Sequence, residues 1–516
     1  MHQVESKNVD KSHKVWNRWG LFIIIFVMET IYGIYLGYFK NVLLGDSVSR
    51  TANAFYVLYC KPYRLTSMGL IWNPLPSILQ LPFILASKLW RPIATKGIGA
   101  AIVSALFAAW QGKVLLDTFK AFKIERLFSL LITGLFCFNP YIFFYGANGM
   151  SEMMASAFII KIVCSLVLWM KEGKGSQLIE IGIGFVGMFL TRYESIPFSV
   201  AVCLAMCLHI FFQKKEKRGC LDRKKELFYY MEATMWVTFL PMIYTVLVWL
   251  FYNWMITGDP LYFMDSGYSI SAYANYYSGY GGYTGALIYV WQRSWPFFML
   301  IGGVLLVRFF SKRFLKIDTL IFLILALGNI LFIYDRIAKN LSAGYVRYFC
   351  YPFIVAIAWL PYELSEMKGI RRRFSVGIVS GTLALTMIFF AWAFQYSETM
   401  REDTLLMVPG NSGEVADYIN SNLKNEKILM DSYRTYYVVM NINNINNVVT
   451  SCNPDFKESV KDPEGNGIDY LVVPEKGSYG NMDALNRAYP KLYQNGADWC
   501  KEVASIGEFK IYKVLK

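Results

Sequence analysis

Histidine is nearly missing from this chain. Its 516 residues hold three, His2, His13 and His209, and its nine cysteines form no CxxC pair. Zinc and haem sites draw on those side chains at short fixed spacings, so neither has a ligand set here. No GxSxG elbow or Walker loop stands in a strand-to-helix context, which argues against a serine hydrolase or a P-loop enzyme. Internal repeats and low-complexity tracts are also lacking, which weighs against an inverted-repeat transporter. Charge is sparse at 17% and is gathered into short clusters rather than spread along the chain.

What fills the chain instead is apolar. Hydrophobic residues make up 55% and aromatics 17%, too much for a soluble enzyme of this length. The apolar runs are about 17–24 residues long, as a bilayer crossing requires. They do not alternate with polar residues, so they read as helices rather than barrel strands. The reading is a polytopic α-helical membrane protein of about eleven transmembrane helices. These fall near 16–38, 98–116, 127–145, 153–170, 176–191, 195–213, 232–252, 295–310, 317–334, 346–362 and 374–394. The first is no cleavable signal, because its apolar stretch is long and no small-residue cleavage site follows.

The segment 75–90 decides the parity. Pro74, Pro76, Pro82, Gln80 and Lys88 make it a poor span, since proline removes backbone donors that lipid cannot replace. With 75–90 lying at the outer interface, the inner connections collect the basic residues. They hold Lys7, Lys11, Lys14 and Arg18, then Lys120, Lys123 and Arg126, the run 214–225, the Arg308, Lys312 and Arg313 group, and Arg371 to Arg373. That is the positive-inside pattern, so the net charge of +14 reports orientation and not a nucleic-acid partner. The N-terminus, 1–15, is then cytoplasmic and 16–395 form the membrane domain. Its first outer loop is 40–97 and a second, aromatic outer loop is 253–294. Residues 396–516 form a small extracytoplasmic α/β domain, with strands expected at 428–430, 470–473 and 509–514 and helices at 412–423 and 483–494. Cys452 and Cys500 alone share that tail, and an oxidising compartment would let them pair.

Several charged residues gather at the outer ends of helices. They are Asp46 and Arg50 in GDSVSR, Glu152 in NGMSE, Arg192-Tyr193-Glu194, and Arg347-Tyr348. An ionisable group at a membrane boundary is a functional candidate by default. Each also has a plainer reading. Asp46 and Arg50, four apart, would suit a surface pair on a helix. Glu152 would suit the positive end of its helix, and Arg192 and Arg347 would suit interfacial anchoring. The 253–294 loop holds seven tyrosines and several glycines over 262–283, which fits an aromatic belt or the cover of a cleft.

Taken together the pattern resembles the GT-C class of membrane glycosyltransferases, such as protein O-mannosyltransferases and aminoarabinose transferases. Asp46 matches the acid that opens their first outer loop, and Asn73-Pro74-Leu75-Pro76 is similar to their N-P-P-L element. Glu152 matches their second acidic site. Thr257-Gly258-Asp259-Pro260-Leu261-Tyr262-Phe263 resembles a loop start of bacterial members, and Arg347-Tyr348 a late Arg-Tyr. The chain departs where Ser47, not a second acid, follows Asp46.

The resemblance implies transfer of a hexosyl or pentosyl unit from a polyprenyl-phosphate carrier to a glycan, lipid or protein acceptor, at the outer face of a bacterial plasma membrane. It further implies inversion, with Asp46 as general base. Arg347, with Arg50, Arg192 or Arg336, would hold the donor phosphate. Glu152 would orient the acceptor or share a divalent cation, Mg or Mn, with Asp46. Asn73, Tyr193, Glu194, Asp259, Tyr262 and Tyr348 would line the substrate groove. The competing readings are a polymerase or ligase of lipid-linked glycans and a flippase or transporter for them.

Overall fold

A computed structural model of the protein describes residues 19–212, 224–269, 272, 279–400, 407–477 and 480–515. The N-terminal stretch 1–15, most of the basic run 214–225 and Tyr273, Tyr276 and Tyr277 lie outside the described residues.

Long apolar helices dominate, and each expected span falls on helical structure, though not always on one long helix. Among the described residues, eight are long and apolar enough to cross a membrane: Trp19–Phe39, Ile98–Ala121, Ser151–Glu172, Ser195–Phe212, Lys225–Thr257, Gly282–Phe310, Ile317–Ala338 and Gly369–Tyr396. Arg126–Cys137 and Pro140–Ala147 make a ninth if taken as one span bent by 65°. The bend sits where Asn139 caps the second helix, its side chain accepting from Tyr141 N at 3.1 Å, and Pro140 removes a backbone donor.

The expected count of eleven is not reached by length. Gly175–Phe189 and Tyr351–Ser365 have 15 residues each, or about 22 Å at 1.5 Å per residue, against a hydrocarbon core of about 30 Å. Nearly all of Tyr351–Ser365 is buried by other helices. A helix that meets protein instead of lipid need not match the bilayer's thickness.

Segment 75–90 does not form a span either. It breaks into Leu75–Ile78 and Leu81–Ala86, each with proline in its first turn, and it leaves Leu85, Leu89 and Trp90 exposed. The aromatic loop is shorter than its sequence suggests. Helices Lys224–Thr257 and Gly282–Phe310 run on at both sides, leaving 258–281 as the connection.

The C-terminal region folds around a five-stranded sheet. In chain order the strands are β1 (Ile428–Met430), β2 (Val448–Val449), β3 (Tyr470–Pro474), β4 (Cys500–Ile506) and β5 (Phe509–Val514). Their spatial order is β2-β1-β3-β5-β4. The parallel pairs β1–β2 and β1–β3 require crossovers, supplied by helices Ser432–Asn441 and Phe456–Lys461. An antiparallel hairpin of β4 and β5 completes the sheet. Its turn uses Gly507 at φ +56°, which glycine tolerates.

Alternate residues of the sheet enter two cores. Ile428, Met430 and Val472 face helix Gly45–Tyr59 and its neighbours, while Leu429, Leu471 and Val473 face away from them. The first core is shared with Val48, Ala52, Phe55 and Tyr56 of helix Gly45–Tyr59. Further joints are Val408 N to Leu43 O at 3.0 Å and Arg91 Nη2 to Met440 O at 2.8 Å. The sheet domain therefore sits at the Asp46 end of the bundle.

A cluster of arginines and carboxylates as candidate functional site

Helix Gly45–Tyr59 begins at an extended Leu44 and places Asp46 in its first turn. Helix Ser151–Glu172 likewise begins at an extended Met150 and places Glu152 in its first turn. Each carboxylate thus stands at the positive end of a helix. The plain reading of Glu152 is correct as far as it goes, but it is not the whole account.

The turn before Ser151 is what joins the two helices. Asn148 Oδ1 accepts from Met150 N at 3.0 Å, and Gly149 has φ +75°. A Cβ at Gly149 would collide with Ser47 Oγ and lie 2.5 Å from Ala100 Cβ. Only glycine lets the backbone approach the Asp46 helix this closely.

The other charges arrive from two further connections. Arg192 and Glu194 lie between helices Gly175–Phe189 and Ser195–Phe212, and Arg347 lies in the 3₁₀ turn Val346–Phe349. Arg347 Nη2 donates to Asp46 Oδ2 at 2.7 Å. Its Nε lies 3.1 Å from Glu152 Oε1, an ion contact without hydrogen-bond alignment. Arg192 Nη1 donates to the same Glu152 oxygen at 2.7 Å, and its Nη2 to Glu194 Oε1 at 2.6 Å. Arg50 is four residues from Asp46 but is no surface partner of it. Its guanidinium lies 4.8 Å from the ring of Trp72, and its Nε and Nη1 are buried without a hydrogen-bond partner.

Burial within the cluster is uneven. The side chains of Arg347 and Glu152 are 3% and 6% exposed, whereas that of Asp46 is 40% exposed. Asp46 is the open face of a buried assembly. Burial alone would push the guanidinium of Arg347 down, but Asp46, Tyr348 and Glu152 outweigh it and hold it well above the ordinary value. Arg192 is raised in the same way, with Glu194 and Glu152 overcoming burial. Arg50 is lowered, chiefly by burial, with Glu152 and Asp46 raising it and Arg192 and Arg347 lowering it. Aromatic rings complete the walls: Arg347 lies 4.4 Å from Tyr345 and 5.3 Å from Tyr348, and Arg192 lies 5.2 Å from Tyr348.

Six of the sequence candidates therefore meet: Asp46, Arg50, Glu152, Arg192, Glu194 and Arg347, with Tyr348 against them. Asn73 and Tyr193 have structural work close by. Asn73 Nδ2 donates to Phe189 O, and Tyr193 OH donates to Ile71 O at 3.0 Å, both pinning the first loop beside Arg192. Arg336 does not join the cluster. It lies in the last turn of Ile317–Ala338, and no described contact reaches the acids from it. Asp259 caps a turn, accepting from Leu261 N at 2.8 Å on an exposed surface. Tyr262 lies in the short helix Tyr262–Asp265 and feels Arg487 and Asp431 of the sheet domain rather than Asp46. The sequence reading passed over Trp72 and Gly149. Their signals were a lone tryptophan beside the N-P-L-P element and a glycine three residues before an acid.

A divalent cation between Asp46 and Glu152 does not fit this arrangement. Arg347 touches both acids, so the space is held by a guanidinium whose charge would repel the ion. Among the described residues no group of three or more His, Cys, Asp or Glu side chains could hold a metal.

No family model matches this sequence, and no curated protein matches it. Its fold is nevertheless shared. Crystal structures of ArnT from Cupriavidus metallidurans, bound to undecaprenyl phosphate and in the apo state, each superpose with a TM-score of 0.55 at 11% identity. Each match covers 95% of this chain and 97% of the ArnT chain. The chain is a multi-pass membrane protein that shares the fold of ArnT.

Proposed function

We propose that this protein transfers a sugar from a polyprenyl-phosphate carrier to an acceptor hydroxyl on the outer face of the membrane. The observation that carries this reading is one part-exposed carboxylate, Asp46, paired with the buried Arg347 and near Arg50, whose Nε and Nη1 have no hydrogen-bond partner. A phosphate monoester leaving group needs positive charge where its oxygens gain electrons, and the acceptor hydroxyl needs a base. Arg347 and Arg50 hold the phosphate, with Arg192 behind them. ArnT's binding of undecaprenyl phosphate supports a carrier of this class.

Asp46 is engaged by Arg347. An incoming phosphate competes for that guanidinium with geometry suited to its planar fork, and so releases the carboxylate. The acceptor oxygen then attacks the anomeric carbon in a single inverting displacement. The bond from that carbon to the phosphate oxygen breaks, the polyprenyl phosphate leaves with the electron pair, and the hydroxyl proton passes to Asp46. Glu152, fixed between Arg192 and Arg347, sets their positions. It has no open face for an acceptor. The sugar is a hexose or pentose unit, and the acceptor a glycan, lipid or protein.

The test uses purified full-length protein with a panel of radiolabelled polyprenyl-phosphate sugars and scans for release of the carrier phosphate. Release that depends on Asp46 supports the proposal. Movement of an intact lipid-linked sugar across vesicles, with no release from any donor, would overturn it in favour of a flippase.

A further inference from the structure

Two thiols meet where the Asp46 helix ends. Cys60 follows Gly45–Tyr59 as its C-cap, its N–H donating to Tyr56 O at 3.1 Å, and it is 4% exposed. Cys452 lies just beyond β2 in the sheet domain and is half-buried. Both belong to the core shared by the first loop and the sheet. Hydrogen bonds on either side clamp the two segments together. Arg64 Nη2 donates to Cys452 O at 2.8 Å, and Asn453 Nδ2 donates to Lys61 O at 3.0 Å. The thiols are themselves within hydrogen-bonding distance of each other. Cys500, the partner that the sequence suggested for Cys452, belongs to the core on the other side of the sheet. None of this serves the arginine–carboxylate cluster, which sits at the opposite end of the helix, about 20 Å away at 1.5 Å per residue.

We propose that Cys60 and Cys452 form a disulfide in the mature protein, bolting the far end of the Asp46 helix to the sheet domain. The inference rests on the outward placement proposed above, because only an oxidising compartment keeps such a bond. The oxidant is an extracytoplasmic thiol–disulfide oxidase carrying its own disulfide. The bonded neighbour Cys60 and nearby Arg64 shift the Cys452 thiol toward its thiolate, and Cys452 is the more accessible of the two. Cys452 therefore attacks the oxidant's disulfide first. Cys60, buried and held protonated by its contact with Cys452, then displaces the oxidant from the mixed disulfide. One S–S bond forms in this chain and one breaks in the oxidant. The two protons and two electrons lost by the thiols leave with the oxidant as its dithiol.

The bond adds a covalent link between a helix that carries Asp46 and Arg50 and a domain otherwise joined to its segment by packing and hydrogen bonds. It therefore limits how far the sheet domain can lift from the first loop. The test extracts full-length protein in N-ethylmaleimide from cells whose envelope contains such an oxidase, then digests it without reductant for mass mapping. The expected result is a peptide pair joined through Cys60 and Cys452 that separates on reduction, with Cys500 alkylated. Maleimide on both Cys60 and Cys452, or a Cys452–Cys500 link, overturns the proposal. Hydrogen exchange over residues 45–60 gives a second readout. Reductant should raise exchange in the wild type to the level of Cys452→Ser and leave that variant unchanged; no rise in the wild type would refute the bolt. A reporter that fluoresces only in the cytoplasm, fused after Lys516, separates the two failures. Free thiols with a dark reporter sink the disulfide alone, whereas a bright reporter sinks the outward placement and the proposed function with it.

Discussion

Arg347→Ala separates a site that works on phosphate from a cluster that only holds loops together. Arg347 is buried between Asp46 at 2.7 Å and Glu152 at 3.1 Å. Breaking a buried pair by removing one partner usually costs about 3–5 kcal/mol, because it strands a charge. Here the stranding is partial. Glu152 keeps Arg192 at 2.7 Å, and the side chain of Asp46 is 40% exposed and can hydrate. The expected loss of stability is therefore about 1–2 kcal/mol, in the range of ordinary substitutions. Turnover should fall much further. An oriented, charge-assisted contact to a developing anion is worth about 2–4 kcal/mol, roughly 30-fold to 1,000-fold in rate. Arg347→Lys keeps the charge between the rings of Tyr345 and Tyr348 but loses the planar fork, so it should recover only part of the rate. The assay is release of labelled polyprenyl phosphate in detergent micelles, run beside a thermal melt. An Ala variant that melts like the wild type and turns over within about threefold of it, a step worth well under 1 kcal/mol, would show that the phosphate is held elsewhere, by Arg50 and Arg192.

Asp46→Asn keeps size and shape but cannot take a proton, and should lose about two to four orders of magnitude in turnover while still binding the labelled donor; a variant that retains turnover removes the base from Asp46. Arg50→Ala is its companion, and weaker donor binding in a filter or spin assay would show that the unpaired N–H groups meet the phosphate. Gly149→Ala should cost about 2–4 kcal/mol, combining left-handed backbone strain with overpacking against Ser47 and Ala100. Gly173→Ala has a similar φ of +71° and nothing near its Cβ, so thermal melts in which the two variants shift equally would deny the packing part. In the sheet domain, burial raises the carboxyl groups of Asp431 and Asp483, the charge of Asp431 raises Asp483 further, and the hydrogen bonds each accepts offset this only in part. A raised folded pKa means that the native state binds the extra proton, so this contribution is present at low pH and fades as pH rises from the ordinary carboxylate range through the folded value. Melts should show it flattened in Asp483→Asn, and an unchanged pH profile would rule the pair out as its source.

Much of the architecture was legible because the bilayer imposes one rule on the backbone. Apolar runs of the right length had to be spanning helices, and the proline-rich 75–90 made a poor span. Within the tail, the short apolar runs at 428–430, 470–473 and 509–514 appear as strands at nearly those bounds. Cys500–Ile506 escaped notice because Lys501, Glu502 and Val503 are exposed in a row and only Cys500 is buried, as suits an edge strand. The count of eleven spans is not reached by helix length for a different reason. A helix surrounded by protein, as Tyr351–Ser365 is, leaves composition unchanged while removing any need for length.

The candidate cluster was legible for the same reason as the spans. Asp46, Glu152, Arg192 and Arg347 stand at helix boundaries that the alternation of spans brings to one end, so sidedness alone predicted that they share a surface. Sidedness could not say which of the charges at that end would touch. Arg336 satisfies the alternation as well as Arg347 does, yet only Arg347 follows a connection that folds back between two helix N-termini. The opposite end shows the same ambiguity. Arg308 and Arg313 were read as orientation charges, but Arg308 is fully buried and pairs with Glu363, which Arg313 also contacts at 3.1 Å. A charge that sets topology can thus become a buried clasp once helices pack around it. What distinguishes the Asp46 end is a carboxylate 40% open to solvent beside Arg50, which has two unpartnered N–H-bearing nitrogens, Nε and Nη1. At the Arg308 end Glu363 is buried on both arginines, Asp318 and Glu366 are 17% and 28% exposed and lie against Arg313, and each arginine leaves only its Nε unpartnered. An anion with an oxygen for Arg50 and a hydroxyl presented to Asp46 would complete the first cluster.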